Sequence, residues 1–200
     1  PEGRMIGRGW TQPGGRPHAE TEALAQAGQA AHGATAYVTL EPCSHTGQTP
    51  PCCEALIDAG IARVVVAIED PDERVSGRGI AMLQDAGIAV SLGVMSEEAS
   101  ALNLGFLLHR QEGRPLITLK SATTLDGRIA VHNGESRWIT GPEARRRAHL
   151  MRMRHDAIVV GIGTALLDDP ELTCRLPGLE GHSPVRIVID SRLQLPLVSK

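Results

Sequence analysis

The chain has few aromatic residues: two Trp, one Tyr and one Phe in 200 residues. Single-stranded nucleic acids are held largely by stacking of bases on aromatic side chains, and this chain offers few such platforms. The formal net charge of -3 gives no electrostatic reason to expect a polyanionic partner either. We therefore expect no nucleic acid ligand.

Long apolar runs are also missing. None reaches the roughly 18 residues of a membrane-spanning helix, and no charged-then-apolar leader is present. Four cysteines are too few and too unevenly spaced for a disulfide scaffold. In a chain without an export signal, clustered cysteines more often serve metal binding or catalysis. We expect a cytoplasmic protein with no membrane partner.

Helices and strands are predicted to alternate through the first half of the chain, which is typical of an α/β fold with a parallel or mixed sheet. The predicted order is strand 3–10, helix 18–31, strand 36–40, helix 52–60, strand 63–68, helix 80–86 and strand 88–94. A longer helix is predicted over 96–109, with Ser96 as its N-cap.

A polar segment with Gly and Pro, residues 111–115, suggests a boundary between domains 1–112 and 113–200. A second alternation follows it. The prediction is strand 116–122, turn 125–127, an exposed loop with a Trp at 134–141, helix 142–154, and strands 157–161 and 185–190. Because strand-like segments lie near both ends of the chain, we expect one helix and one strand before Pro1 and more sheet after Lys200.

Two short stretches supply a candidate metal site. His18 and Glu20 open a predicted helix, while Cys43 follows a strand and Cys52 opens another helix nine positions later. A hydrolytic zinc site needs three protein ligands, an open position for water and a nearby acid/base. Helix N-termini favour thiolates, the form that binds metal. We predict that His18, Cys43 and Cys52 are ligands and that Glu20 carries a proton to a leaving amine.

Other interpretations of these residues remain open. A closed structural zinc site would need a fourth ligand. Cys53 is next to Cys52 and should point elsewhere, whereas His45 is less easily dismissed. Nucleobase deaminases carry His-x-Glu followed by Pro-Cys-x-x-Cys, but eight residues separate the cysteines here. The alternatives are therefore a deaminase that acts on cytidine, guanine or tRNA, and a non-catalytic zinc-stabilised binding module.

Residues alone give weaker signals in the second half. Gly161 and Gly163 follow a strand, but Leu166 stands where a dinucleotide fingerprint has its third Gly. An ordinary α/β turn explains this pattern. The arginine-rich helix 142–154 is typical of a solvated basic face.

Several longer motifs resemble the bifunctional deaminase–reductase family of riboflavin biosynthesis. GGRPHAE, PCSHTGQTPPC and DPDERVSGRGI are similar to its deaminase domain. LKSATTLDGRIA, GESRWITG and VGIGTALLDDPELTCR are similar to the start of its fused reductase domain. The resemblance covers nearly the whole chain. It implies a cytidine-deaminase-like zinc domain, followed by the start of a dihydrofolate-reductase-like α/β domain.

The family resemblance also implies an activity. The family deaminates a diaminohydroxyphosphoribosylaminopyrimidine and then reduces the ribosyl group to a ribityl chain with NADPH. The expected cofactors are one Zn²⁺ per deaminase domain and NADPH in the reductase domain. The expected partner is the small-molecule pyrimidine, and we expect a homo-oligomer. The glycine-rich cofactor loop of the family has no counterpart before Lys200, so we expect the chain alone to be a poor reductase.

Site residues follow from the same resemblance. His18, Cys43 and Cys52 match zinc ligands, Glu20 matches the proton donor, and His45 matches a substrate contact. The positions that match NADP contacts are Ala122, Trp138, Thr164 and Asp168. The positions that match substrate contacts of the reductase are Ser136, Arg152, Leu172 and Arg175. Gln48 stands where relatives often carry Lys or Arg, and we expect it to hold the substrate phosphate less well.

Overall fold

The structure is a computed structural model that describes residues 3–47, 49–136 and 138–200. Gln48 lies outside the described residues, so its expected effect on phosphate binding stays a prediction. The chain divides into two compact units, residues 1–118 and residues 119–200. Within the described residues, no helix combines the length and the apolar character needed to cross a lipid bilayer.

The first unit is a three-stranded parallel sheet with helices in the connections. Its elements are α1 (Ala19–Ala27) with a 3₁₀ turn (Gly28–Ala31), β1 (Thr35–Val38), α2 (Cys52–Asp58), β2 (Arg63–Val66), α3 (Arg78–Asp85), β3 (Ala89–Leu92), α4 (Ser96–Leu102) and α5 (Leu104–Glu112). The strand order is β1-β2-β3, and Val38, Val66 and Leu92 lie side by side. The α/β prediction is confirmed.

The core of the first unit lies around its central strand. Val64 and Val66 of β2 are fully buried, as expected for a parallel strand covered on both faces. Leu56 of α2 and Leu83 of α3 are equally buried and belong to the same apolar cluster. This packing fixes the strands whose carboxyl ends lead into the candidate site.

Residues 3–10 do not form the predicted strand. Gly7 and Gly9 lie so close to α1 that a Cβ at either position would meet a helix carbonyl, that of Ala23 or Ala19. The backbone N–H of Arg8 donates to Gln26 Oε1 at 3.2 Å. Among the described residues β1 is an edge strand with no neighbour on its outer side. Without a hydrogen-bonded partner, an alternating pattern does not make a strand.

The helix predicted over 96–109 is two helices, α4 and α5, joined at Asn103. The side-chain amide of Asn103 donates to the carbonyl of Ala99 at 2.8 Å, a local bond that competes with helix continuation. The prediction of Ser96 as N-cap is wrong, because Met95 is the N-cap, in a left-handed conformation with φ of 55°. Ser96 is the first helical residue.

Asp72 organises the loop between β2 and α3. It accepts hydrogen bonds from the backbone N–H of Arg74 at 3.0 Å and from its side chain at 2.6 and 2.9 Å. The guanidinium of Arg110 in α5 lies 3.6 Å from the same carboxylate. The side-chain hydrogen bonds of Arg74, with smaller contributions from its backbone N–H and from both charges, hold the pKa of Asp72 below its usual range.

We expect Asp72→Asn to lower the urea midpoint of the first unit at pH 7, because the Arg74 donors lose a charged acceptor. The folded pKa is depressed, so the carboxylate stabilises the unit above its unfolded pKa of about 3.9, and this contribution is lost as the pH falls further. The difference in midpoint between the variant and the wild type should therefore shrink towards pH 3. Trp10 fluorescence in a Trp138→Phe background reports this unit. A difference independent of pH would contradict the assignment.

The second unit contains a two-stranded parallel sheet. Its elements are α6 (Pro142–Met153), β4 (Ala157–Gly161), α7 (Ile162–Asp168), a 3₁₀ turn (Glu180–His182) and β5 (Val185–Ile189). Val159 of β4 lies beside Ile187 of β5. The strand predicted over 116–122 is not formed, and its apolar side chains Ile117 and Leu119 are more than four-fifths exposed. This segment has no strand partner in the described part of the chain.

Candidate metal and substrate sites

His18 and Glu20 stand at the start of α1. His18 is the N-cap residue, with extended backbone, and its carbonyl accepts the N–H of Glu22 at 3.3 Å. Glu20 lies in the first turn, where a carboxylate is favoured by the helix dipole. The change from extended to helical backbone between them lets a side chain at the cap and one in the first turn border the same space.

Cys43 and Cys52 are joined through the start of α2. Cys43 follows β1, and Cys52 is the first residue of α2, after Pro51. The backbone N–H of Cys52 donates to Cys43 Sγ at 3.2 Å, and that of Cys53 donates to the Cys43 carbonyl at 3.2 Å. Two N–H groups that the helix itself leaves without partners thus hold Cys43 against the helix start.

The three predicted ligands meet. His18 Nδ1 lies 3.2 Å from Cys52 Sγ and 3.6 Å from Cys43 Sγ, and the three ligand atoms all lie within 4.8 Å of one another. A tetrahedral zinc ion with bonds of about 2.1 Å to nitrogen and 2.3 Å to sulfur holds those atoms about 3.6 Å apart. The spacing and the nitrogen and sulfur donors fit zinc. In the part of the chain that the structure describes, this is the one group of three or more potential metal ligands.

The other ring nitrogen of His18 also has a neighbour. The guanidinium of Arg16 contacts His18 Nε2, so Nδ1 is the nitrogen that faces the two cysteines.

Cys43 and Cys52 differ in acidity because a hydrogen bond joins their sulfur atoms. The pKa of Cys43 is lowered to about 5 because the Cys52 thiol donates a hydrogen bond to it, with further help from the Cys52 backbone N–H and from His18. The same hydrogen bond raises the pKa of Cys52, since it holds the proton on that sulfur. Burial and the charge of Glu20 act in the same direction on Cys52. Cys43 is therefore the first thiolate of the pair.

Glu20 lies beside the cluster. Burial raises its pKa, partly offset by a hydrogen bond from its own backbone N–H and by His18. The side chain of Cys52 also lowers this pKa, by a smaller amount, so the Glu20 carboxylate lies near the metal site. A carboxylate whose pKa is raised is a stronger base than an ordinary one, which suits a group that accepts a proton and passes it on.

His45 carries an unsatisfied polar atom. The Nδ1 of its half-buried ring has no hydrogen-bond partner among the described residues. Buried polar atoms without a partner cost free energy, and they often mark a place where a ligand or water supplies the missing bond. The substrate contact of His45 stays a prediction.

Two arginines predicted to contact substrate lie together in the second unit. Arg152 of α6 donates to the carbonyl of Thr173 at 2.9 Å, and the backbone N–H of Arg175 donates to His149 Nδ1 at 3.2 Å. Burial and the charges of Arg152 and Arg175 lower the pKa of His149. His149 therefore lies near both arginines, and the guanidinium of Arg175 also pairs with Glu171 at 2.7 Å. His149 carried no motif that sequence reasoning could have used.

The other predicted reductase residues are more scattered. Trp138 is 72% exposed, and the guanidinium of Arg145 lies 4.4 Å from its ring centroid. Leu172 is buried, with a left-handed backbone of φ 56°. The remaining positions are Ala122 in an irregular segment, exposed Ser136 in the loop before Trp138, and exposed Thr164 and Asp168 on α7.

Known proteins match both halves of the chain. The family described as the cytidine and deoxycytidylate deaminase zinc-binding region matches residues 1–68, and the RibD C-terminal domain matches residues 115–200. The riboflavin biosynthesis protein RibD of Aquifex aeolicus is 50% identical over 199 residues, which are 100% of this chain and 56% of that protein. Its counterpart from Escherichia coli is 52% identical over 202 residues, 96% of this chain and 55% of that protein.

The chain belongs to the RibD family. It spans about 55% of the length of these RibD relatives. The predicted order of a cytidine-deaminase-like domain followed by a second α/β domain is confirmed, and the second domain matches the RibD C-terminal domain.

Solved RibD structures agree with this assignment. Acinetobacter baumannii RibD superimposes with a TM-score of 0.89 at 45% identity, over 100% of this chain and 57% of that one. A diaminohydroxyphosphoribosylaminopyrimidine deaminase/5-amino-6-(5-phosphoribosylamino)uracil reductase from Thermotoga maritima gives a TM-score of 0.87 at 42% identity, over 96% of this chain and 55% of that one.

Proposed function

We propose that the first unit is a zinc-dependent hydrolytic deaminase that acts on a diaminohydroxyphosphoribosylaminopyrimidine in riboflavin biosynthesis. One observation carries the proposal: His18 Nδ1, Cys43 Sγ and Cys52 Sγ meet within 4.8 Å at two helix starts, with Glu20 beside them. Three ligands leave a fourth position open, which distinguishes a hydrolytic site from a closed structural one. Membership of the RibD family supports the choice of substrate.

The reaction consumes one water and releases ammonia. A new carbon–oxygen bond forms at the ring carbon as its carbon–nitrogen bond to the amino group breaks. Zinc, when bound, lowers the pKa of a water towards neutrality and stabilises negative charge that develops on oxygen. Glu20 accepts the proton of the water and delivers it to the departing nitrogen, which leaves as a neutral molecule. His45 offers an unpartnered ring nitrogen to the substrate.

We propose further that the second unit, with a domain boundary near residue 113, provides part of an NADPH-dependent reductase. Arg152 and Arg175 would hold the substrate phosphate, since guanidinium groups match phosphate oxygens, and Ser136 and Leu172 would contact the same ligand. NADPH would contact Ala122, Trp138, Thr164 and Asp168. A homo-oligomer, a cytoplasmic location and weak reductase activity of this chain alone remain predictions.

Ammonia release by the zinc-loaded chain from the riboflavin-pathway pyrimidine, in the absence of NADPH, tests the deaminase. We expect one ammonia per pyrimidine consumed. A coupled assay measures the ammonia, and the change in ultraviolet absorbance of the ring measures the pyrimidine. The protein without zinc should release none. A folded, zinc-loaded chain that releases no ammonia would contradict the proposal and would favour the binding-module interpretation.

A further inference from the structure

Glu41 is a buried acid that the proposed reaction does not use. It is only 4% exposed and lies two residues before Cys43. Its own N–H donates to the carbonyl of Ile68 at 3.0 Å, so Glu41 extends the pairing of β1 with β2 beyond the strand ends. An ionised carboxylate at such a depth is costly unless its acceptor sites are filled.

Both oxygens of the Glu41 carboxylate accept hydrogen bonds from backbone N–H groups. Glu41 Oε2 accepts the N–H groups of Asp70 and Gly77 at 3.2 and 3.0 Å. Glu41 Oε1 accepts those of Gly79 and Ile80 at 2.9 and 3.1 Å. A carboxylate has about four lone-pair sites, so this side chain is saturated. The four donors lie between 29 and 39 residues further along the chain.

The Glu41 carboxylate caps the N-terminus of α3, a role that the side chain of a helix's own N-cap residue usually has. The N-cap of this helix, Gly77, has no side chain, and the N–H groups of Gly79 and Ile80 belong to its first turn. Such groups need an acceptor from outside the helix, and a negative charge there is also favoured by the dipole. Glu41 thereby ties the loop and the start of α3 to the end of β1.

A second set of contacts surrounds Pro42, the residue between Glu41 and Cys43. The carbonyl of Pro42 lies so close to Gly79 that a Cβ on Gly79 would collide with it. The buried Cys53 thiol can donate to the carbonyl of Pro42 at 3.3 Å or to that of Gly79 at 3.5 Å. The backbone that enters Cys43 is therefore enclosed by α3 on one side and by α2 on the other.

We propose that Glu41 is a positioning residue for the metal site: by anchoring the chain before Cys43 to the start of α3, it fixes where the Cys43 sulfur stands relative to Cys52 and His18. The inference rests on the proposed function, because it takes Cys43 as a zinc ligand. Residues that hold a ligand in place without touching the metal typically contribute 10–100-fold to metal affinity.

Glu41→Gln tests this role, since an amide has one acceptor oxygen and its NH₂ group would face two backbone N–H donors. We expect zinc affinity, measured by competition with a chromophoric chelator, to fall about 10–100-fold. The visible spectrum of the Co²⁺-substituted protein should shift, because the Cys43 thiolate moves, and kcat should fall more than KM rises. Glu69→Gln is the matched control: Glu69 is exposed and accepts the Ser76 hydroxyl of the same loop at 3.0 Å, without touching the Cys43 segment. It should bind zinc with wild-type affinity.

Glu41→Asp keeps the experiment decisive if Glu41→Gln does not fold. The shorter side chain keeps a negative charge for α3 but cannot reach all four donors, so we expect a folded protein with weakened zinc binding and displaced Co²⁺ bands. A folded variant of either kind with wild-type zinc affinity and Co²⁺ spectrum would overturn the proposal. Because both readouts need no substrate, they separate this inference from the deaminase itself, which fails if the wild-type chain releases no ammonia.

Discussion

Glu20→Gln is expected to lower the rate of ammonia release by about 10²–10⁴, the usual contribution of a general acid/base. Glutamine keeps the size of the side chain, but it cannot take a proton from water and pass it to nitrogen. Bound zinc should stay at one per chain, because Glu20 is not among the three residues whose ligand atoms meet. The measurement is kcat at saturating substrate with zinc content determined on the same sample.

Glu22→Gln is the control for this experiment. Glu22 lies on the same first turn of α1, so its substitution removes the same charge from the same helix start. We expect it to retain activity. If Glu20→Gln and Glu22→Gln lost activity equally, the effect would come from the helix, and Glu20 would not be the proton carrier.

Cys52→Ser is expected to abolish both zinc retention and ammonia release. The Cys52 sulfur lies 3.2 Å from His18 Nδ1, and a neutral hydroxyl replaces the thiolate that zinc needs. Zinc content after gel filtration should fall from one per chain to near zero, and added zinc should restore little activity. Stability should fall as well, since metal binding stabilises the folded state by mass action.

Cys174→Ala provides the comparison for the loss of a buried thiol. Cys174 is 1% exposed and lies in the second unit, outside the cluster of His18, Cys43 and Cys52. Its substitution should leave zinc content unchanged. Full zinc occupancy in Cys52→Ser would mean that another residue completes the site and that the predicted ligand set is wrong.

Sequence alone could predict the residues of the metal cluster because their signal is local. His18 and Glu20 are two positions apart, and Cys43 and Cys52 flank one loop, so helix starts and residue types already suggested a shared cavity. Strand β2 could also be predicted from the sequence, because a run of valines is typical of a strand buried on both faces. The run of valines lies in one short window, and the metal cluster lies in two, residues 18–20 and 43–52, each with a predicted helix start.

The features that sequence missed depend on distant partners. The role of Glu41 cannot be predicted from its neighbours in sequence, because it depends on four backbone N–H donors that lie at least 29 residues away. The segments 3–10 and 116–122 have apolar patterns of strands, yet neither finds a neighbour in the described part of the chain. Met95 is the N-cap of α4, in a left-handed conformation, although N-cap preferences favour Ser96, the next residue.

The parallel order of the first sheet has a consequence for folding. His18 lies 25 residues before Cys43 and 34 before Cys52, and parallel strands pair only after the intervening crossover has closed. Closing such loops costs chain entropy before any contact compensates for it. The complete ligand set exists only once α1, the loop after β1 and the start of α2 have packed together. An ion that needs all three ligands is therefore expected to stabilise the packed state of these elements.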